Sequence, residues 1–391
     1  MRQRGWEDNM KIGIIGKGKM GMDIFLYFME YPFSLVLICH KQEAVEALTA
    51  KIRKKYEKKA ARGIITNEEC EKRCAEIVIS ADYNELSLCD IVIETVVEDL
   101  SVKQSIFECI SKIVSDECIL ASNTSSLNLE DIFQNTYRKE RCMGLHFFFP
   151  VKIIETVEVN CTDVVKERFV NGVVKLLKDS NKRPIILPPK GNLVLSKIIS
   201  TMVCYAHLIY REGYLTFLEI DAIFKKNIMM FGAFELIDST GFLIILRCFE
   251  QFRNDRYMLL YDPVAADIYK LEQLGFGGNN EKGGFISFEE ESNNVPAKVF
   301  TNEEERLMYI EKCIQEIKAV IINDIANMYN NGLVLTKDFP QIVADTLGYS
   351  ENPQKWFDEY GINKIKEILG SLYSKNSYSI FEAENYSIYE N

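Results

Sequence analysis

Long apolar runs are missing from this 391-residue sequence. None approaches the roughly 20 consecutive apolar residues that cross a bilayer, so no membrane partner is expected. The opening Met1-Arg2-Gln3-Arg4-Gly5 leads into Trp6-Glu7-Asp8 without an apolar signal core, and residues 1–9 read as a short extension ahead of the first strand. A surplus of basic residues is missing as well. Lys and Arg number 46 against 57 Asp and Glu, a net charge of −11, which removes the electrostatic footprint of a nucleic-acid binder and leaves only local basic patches to hold phosphates. The eleven cysteines are scattered along a long chain, and only Cys70 and Cys74 lie close, at helical spacing. That is no disulfide framework; reduced thiols, a cytoplasmic location and no bound metal are the expectations.

What is present is a globular composition, 47% hydrophobic and 26% charged, in a chain too long for one ordinary core. The first 190 residues alternate short β-rich runs with helical stretches, the pattern of a mostly parallel sheet covered on both faces. Strands are expected at Lys11–Ile15, Leu35–Cys39, Ile77–Ser80, Ile91–Thr95, Ile119–Ser122, Gly144–Phe147, Thr156–Val159 and Pro184–Leu187, with helices at Lys41–Arg62 and Ser101–Val114 between them. After Pro188-Pro189-Lys190-Gly191 the texture turns to long apolar helical periods. One pattern there occurs twice: Tyr210-Arg211-Glu212-Gly213 with Thr216 and Gly241 is echoed by Tyr329-Asn330-Asn331-Gly332 with Thr336 and Gly361. The division expected is 10–190, 191–288 and 298–373, with a linker near 289–297 and a polar, tyrosine-rich, frayed tail at 374–391.

Gly16-Lys17-Gly18-Lys19-Met20-Gly21 follows the first strand directly and opens a helix, which is where a dinucleotide-binding turn belongs. Its glycines permit a tight turn and close approach of a pyrophosphate to a helix N-terminus. The fold class is therefore α/β, a Rossmann-type domain followed by all-α C-terminal domains. Where the second strand of such a domain normally ends in an acid that holds the adenosine ribose, this sequence has Cys39, His40 and Lys41. Both NAD and NADP stay open as the cofactor.

Only three histidines occur. His207 lies in an apolar helix and reads as structural, and His40 belongs to the nucleotide edge. His146 ends a strand in Gly144-Leu145-His146-Phe147-Phe148-Phe149-Pro150, and Glu158 follows on the next strand. A carboxylate on one ring nitrogen fixes the tautomer of the other and makes a general acid/base; a satisfied core histidine is the alternative. Together with Ser122-Asn123-Thr124-Ser125-Ser126, Val157-Glu158-Val159, Glu94 to Glu98 with Lys103, Phe231 to Leu236 with Asp238, and Lys282-Gly283-Gly284-Phe285, these motifs resemble the L-3-hydroxyacyl-CoA dehydrogenases. The resemblance spans roughly residues 10–288, and the second helical stretch is similar to the duplicated C-terminal domain of longer members.

The resemblance implies an oxidoreductase that moves hydride between a nicotinamide cofactor and C3 of an acyl thioester carried on CoA or a carrier protein. It implies His146 as the proton-transfer group, Glu158 as its orienting partner and Ser125 as a hydrogen bond to the substrate oxygen. Asn123, Glu98 and Lys103 are implied on the nicotinamide side, and Lys55, Lys58, Lys59 and Arg62 on the basic helix as a phosphate-holding arm. A tandem helical domain further implies a monomer with an internal pseudo-dimer, with a homodimer as the alternative. Three departures touch the implied site. Leu195 stands where the family has an Asn near the substrate oxygen, with Asn192 a nearby substitute; Phe149 replaces an Asn; Cys39 replaces the strand-end acid. A missing preorganised hydrogen bond costs about 3 kcal/mol of transition-state stabilisation. A drier pocket for another acyl chain, a reductase of a different carbonyl or an imine, and a non-catalytic nucleotide or acyl-CoA binder are therefore carried alongside.

Overall fold

Eight short strands of mostly β-branched and apolar residues form one sheet in the first of two units, Met1–Pro189 and Lys190–Asn391. The computed structural model describes residues 10–189, 193–253, 256–279, 282–292 and 295–390. The strands are β1 (Lys11–Ile15), β2 (Ser34–Ile38), β3 (Ile77–Ser80), β4 (Ile91–Glu94), β5 (Ile119–Ser122), β6 (Cys142–Phe147), β7 (Thr156–Asn160) and β8 (Arg183–Leu187), in the order β3-β2-β1-β4-β5-β6-β7-β8. Successive side chains of a strand face opposite ways, and the core follows that alternation. Ile12, Ile14, Leu35, Leu37, Ile91 and Ile93 pack on one face, while Val36, Ile38, Val92 and Leu120 pack on the other. Helices α1 (Lys19–Phe28), α2 (Gln42–Ala61), α3 (Asn67–Ala75), α4 (Leu100–Ile110), α5 (Leu129–Ile132) and α6 (Glu167–Asp179) connect them.

Two features of this sheet position the site. The strand order reverses at β1, which has β2 on one side and β4 on the other, and the crevice beyond such a switch point is where open α/β sheets take ligands. All pairs from β3 to β6 are parallel, but β7 runs antiparallel to β6 with His146 opposite Glu158.

The second unit is helical: α7 (Val194–Arg211), α8 (Phe217–Asn227), α9 (Ala233–Thr240), α10 (Phe242–Phe252), α11 (Met258–Gln273), α12 (Phe285–Ser292), α13 (Glu303–Asn330), α14 (Phe339–Leu347) and α15 (Pro353–Asn376). Among the described residues no helix is long and apolar enough to cross a membrane. A buried and a half-buried carboxylate cap helices from a distance. Asp221 accepts from Phe234 N and Glu235 N, both at 2.9 Å; Asp238 accepts from Phe285 N and Ile286 N at 2.8 and 3.0 Å. The two stretches that the sequence pairs are joined by an antiparallel bridge, Met229 to Tyr349. Met230 N donates to Gly348 O at 2.9 Å and Ser350 N to Ile228 O, so each residue of the bridge faces its own counterpart.

Two boundary expectations are corrected. The linker near 289–297 begins later, because α12 runs to Ser292 and the buried Glu289 carboxylate accepts from Phe217 N and Leu218 N, each at 2.8 Å. The tail is not frayed. Asn323 on α13 donates through Nδ2 to Ile380 O and Glu382 O at 3.1 and 2.9 Å, and its Oδ1 accepts from Glu384 N and the Tyr386 hydroxyl. Ile380, Phe381, Tyr386, Ile388 and Tyr389 are buried; apolar side chains spaced among polar ones make a docking strap, which overall polarity conceals. Deleting residues 377–391 is expected to lower the unfolding free energy by about 5 kcal/mol, read as a shift of the urea midpoint; an unchanged midpoint contradicts the docking.

His207 is buried and its Nε2 lies 2.9 Å from Asp267 Oδ2. The hydrogen bond from His207, and after it that from Lys270, hold the Asp267 carboxyl down to about 2 against the opposing effect of burial. The folded chain thus binds this proton less tightly than the unfolded one, whose carboxyl titrates near 4. The stabilisation is complete above about pH 4 and is lost as the pH falls towards 2. Asp267→Asn is expected to cost about 1 kcal/mol at pH 6 and almost nothing near pH 2, a difference that denaturation curves at the two pH values measure.

Candidate active site

The glycine turn is built by close backbone approach at the carboxyl ends of β1, β2 and β4. Gly16 has φ +114° and donates its N–H to Ile38 O at 3.0 Å. The Thr95 hydroxyl donates to Ile15 O at 2.8 Å. A Cβ at Gly21 would sit 2.1 Å from Gly16 O, and one at Gly16 would sit 2.8 Å from Thr95 O, whereas a Cβ at Gly18 meets no heavy atom within 4 Å. The first two glycines are thus required by the turn itself, and Gly18 fronts open space at the N-terminus of α1, where N–H groups converge on an anion. These residues fit a dinucleotide pyrophosphate. Met20 is half-buried at the start of α1, and Lys19 is exposed with its Nζ 3.9 Å from the centre of the Phe149 ring. That contact joins the nucleotide turn to the loop after β6 and was not read from the sequence. Phe149 is 47% exposed.

At the end of β2, Cys39 is buried and its N–H is held by Ser80 O at 2.8 Å, while His40 and Lys41 are exposed. Beyond β4 and β5 lies a buried ionic network. The Lys103 ammonium, 1% exposed, sits 2.8 Å from Glu94 Oε1 and 3.2 Å from Glu98 Oε2. Glu94 also accepts from Val96 N and the Ser122 hydroxyl, both at 2.7 Å. Glu98 Oε1 gathers the loop after β5, accepting from the Thr124 hydroxyl at 2.5 Å, Ser125 N and Ser126 N at 3.0 Å, and the Ser126 hydroxyl at 2.9 Å. Burial opposes charge on Glu98, yet the Lys103 ammonium and these hydrogen bonds hold its carboxyl below the ordinary range. Lys103 therefore acts on the loop through Glu98, and Glu98 sets the backbone of Ser125. Asn123 Oδ1 accepts from Phe147 N at 2.9 Å, tying this loop to the end of β6.

On β6 and β7, His146 Nδ1 lies 2.7 Å from Glu158 Oε2, and both side chains are buried. An ionised Glu158 only accepts, so a neutral ring in this contact carries its hydrogen on Nδ1 and presents Nε2 as its acceptor. The Phe148 ring lies 4.5 Å from the imidazole, centre to centre. The loop that follows is pinned by two residues the sequence did not single out. Asp23 of α1 accepts from Val151 N at 2.7 Å, and Lys182 donates to Val151 O and Ile154 O. Burial pushes the Lys182 amine down to about 8. On α2, Lys55 and Lys59 are engaged by Glu30 at 3.3 and 2.9 Å, whereas Lys58 and Arg62 are exposed. In the second unit Leu195 is fully buried on the first turn of α7; Asn192 lies outside the described residues.

Residues 11–189 match the family model of the 3-hydroxyacyl-CoA dehydrogenase, NAD binding domain. A 3-hydroxybutyryl-CoA dehydrogenase of Clostridioides difficile is 27% identical over 285 residues, 71% of this chain and 99% of its own length. The domain formed by residues 11–189 belongs to the 3-hydroxyacyl-CoA dehydrogenase family. Within the family, the peroxisomal fatty acid beta-oxidation multifunctional protein MFP2 of Arabidopsis thaliana is 25% identical over 333 residues, which span 85% of this chain but only 45% of the plant protein. The crystal structure of 3-hydroxybutyryl-CoA dehydrogenase from Escherichia coli K12 superposes with a TM-score of 0.77 at 17% identity, covering 96% of this chain and 97% of the other, and shares its fold. By these matches the chain is an oxidoreductase, with NAD or NADP as cofactor.

The Glu98 network gives a direct test of loop positioning. Glu98→Ala leaves the 124–126 backbone without its acceptor and removes one of the two carboxylates beside a buried ammonium. The expected loss is about 3 kcal/mol of stability, measured by denaturant titration.

Proposed function

We propose that the chain catalyses reversible hydride transfer between a nicotinamide dinucleotide and C3 of a 3-hydroxyacyl or 3-oxoacyl thioester, carried on CoA or a carrier protein. The observation that carries this reading is the buried 2.7 Å contact between His146 and Glu158 in the same domain as the glycine turn. Gly16, Gly18 and Gly21 with the N-terminus of α1 hold the cofactor's pyrophosphate. When bound, the cofactor supplies or accepts the hydride. His146 Nε2 takes the proton of the C3 hydroxyl in oxidation and returns it in reduction, while Glu158 holds the ring and balances its charge. The Ser125 hydroxyl donates to the same substrate oxygen. With the ring and the hydroxyl preset, the chain supplies orientation and one proton relay.

Lys58 and Arg62 are the members of the basic arm most open to substrate phosphates, since Lys55 and Lys59 are drawn to Glu30. The self-paired bridge at Met229 and Tyr349 supports a monomer in which the two helical copies pair within one chain. Eleven free thiols support a reducing, cytoplasmic setting.

The test is consumption of reduced cofactor at 340 nm with acetoacetyl-CoA and longer 3-oxoacyl thioesters. His146→Gln is expected to lower kcat by about a thousandfold with cofactor affinity nearly unchanged. Turnover undiminished in that variant refutes the role of His146, and no turnover of any 3-oxoacyl thioester by the native chain refutes the substrate class.

A further inference from the structure

From the edge formed by the glycine turn and the end of β2, we infer that the chain prefers the 2′-phosphorylated dinucleotide, with Lys17, Lys41 and His40 as the groups that select it. The inference rests on the dinucleotide-binding reading and refines it.

The edge is rigid. Gly16 N is held by Ile38 O at 3.0 Å and Cys39 N by Ser80 O at 2.8 Å, so the turn, the end of β2 and the end of β3 are hydrogen-bonded in sequence. In dinucleotide domains this strand end faces the adenosine ribose, and the residue placed there decides the ligand. A carboxylate accepts from the 2′- and 3′-hydroxyls and repels a phosphate; a cation does the opposite. Here the position is Cys39, fully buried. Burial raises the pKa of the thiol, and the hydrogen bond from Gly16 N to Ile38 O sets Lys17, the residue after Gly16, at the strand end. The next two residues are His40 and Lys41, both exposed, as is Lys17. Among the described residues none of these three is in an ion pair. The acid that follows β3, Asp82, commits its Oδ1 to Asn84 N and Nδ2, both at 2.9 Å. A ribose hydroxyl pair would find a neutral thiol and no strand-end acceptor, whereas a 2′-phosphate would find two ammonium groups and an imidazole able to donate.

Calorimetric titration of the full chain with NADP+ and NAD+, and with 2′,5′-ADP and ADP as fragments, tests this without turnover. NADP+ is expected to bind at least about tenfold more tightly than NAD+, with the advantage shrinking as salt rises and with 2′,5′-ADP favoured over ADP. Lys17→Gln and Lys41→Gln, both at exposed positions, are expected to weaken NADP+ severalfold and leave NAD+ unchanged. Cys39→Asp is expected to reverse the order. Equal or tighter binding of NAD+ by the native chain overturns this inference and leaves the dehydrogenase reading intact. Binding of neither dinucleotide overturns both.

Discussion

The antiparallel turn taken by β7 against an otherwise parallel run of strands is the constraint on which the proposed chemistry depends. In a parallel pair the two strands would be joined by a crossover, and the residues set opposite one another would come from connections of independent length. Here a short loop returns the chain at once, and the ladder itself fixes His146 against Glu158. The contact is part of the sheet, buried and in register, so its geometry is as firm as the backbone hydrogen bonds on either side. A slip of β7 by one residue would turn Glu158 to the face opposite His146.

A second layer of order comes from burying two carboxylates around one ammonium. Such a cluster is costly to desolvate and is tolerated where each oxygen also has a donor. Glu94 meets that condition with both oxygens, accepting from Val96 N and the Ser122 hydroxyl, and Glu98 gathers its donors from the loop after β5 on Oε1. The ionic cluster thereby converts an irregular loop into a defined surface. Asp23 and Lys182 do the same for the loop after β6, so the strand ends around the switch point are held by side chains as well as by the sheet.

Much of this architecture was legible in the residues. Continuous apolar runs marked the strands, because a parallel strand buried on both faces has no polar alternation to blur it; Lys11–Ile15 and Ile119–Ser122 coincide with their strands to the residue. Glycines whose absent side chains make room for backbone declared the turn. The His146 and Glu158 pair was visible as a spacing, but its 2.7 Å contact depends on β7 running antiparallel, which no local pattern specifies. The roles of Asp23 and Lys182 were invisible for the same reason: an isolated charged residue on a helix or before a strand reads as solvated until the fold brings carbonyls or an N–H to it. The tail misled in the opposite direction. Its abundant Ser, Asn and Glu outweighed a handful of aromatic side chains in composition, yet those few carry the docking. Polar content measures solubility of a free segment, not the value of the pocket waiting for it.

The bridge between Met229 and Tyr349 has a consequence for how the helical unit can change. Its two positions are separate residues of one chain, Met229 and Tyr349, so a change at either one alters a single side of the junction. Away from the bridge the two copies are free to solve the same problem differently. At the helix that follows the bridge, the first copy borrows a distant carboxylate, Asp221, to satisfy Phe234 N. The second caps from within, Asn352 accepting from Gln354 N while its side-chain amide reaches Gln341. The two stretches thus reach similar helix starts through different stabilising contacts, one from a distant carboxylate and one from a local cap.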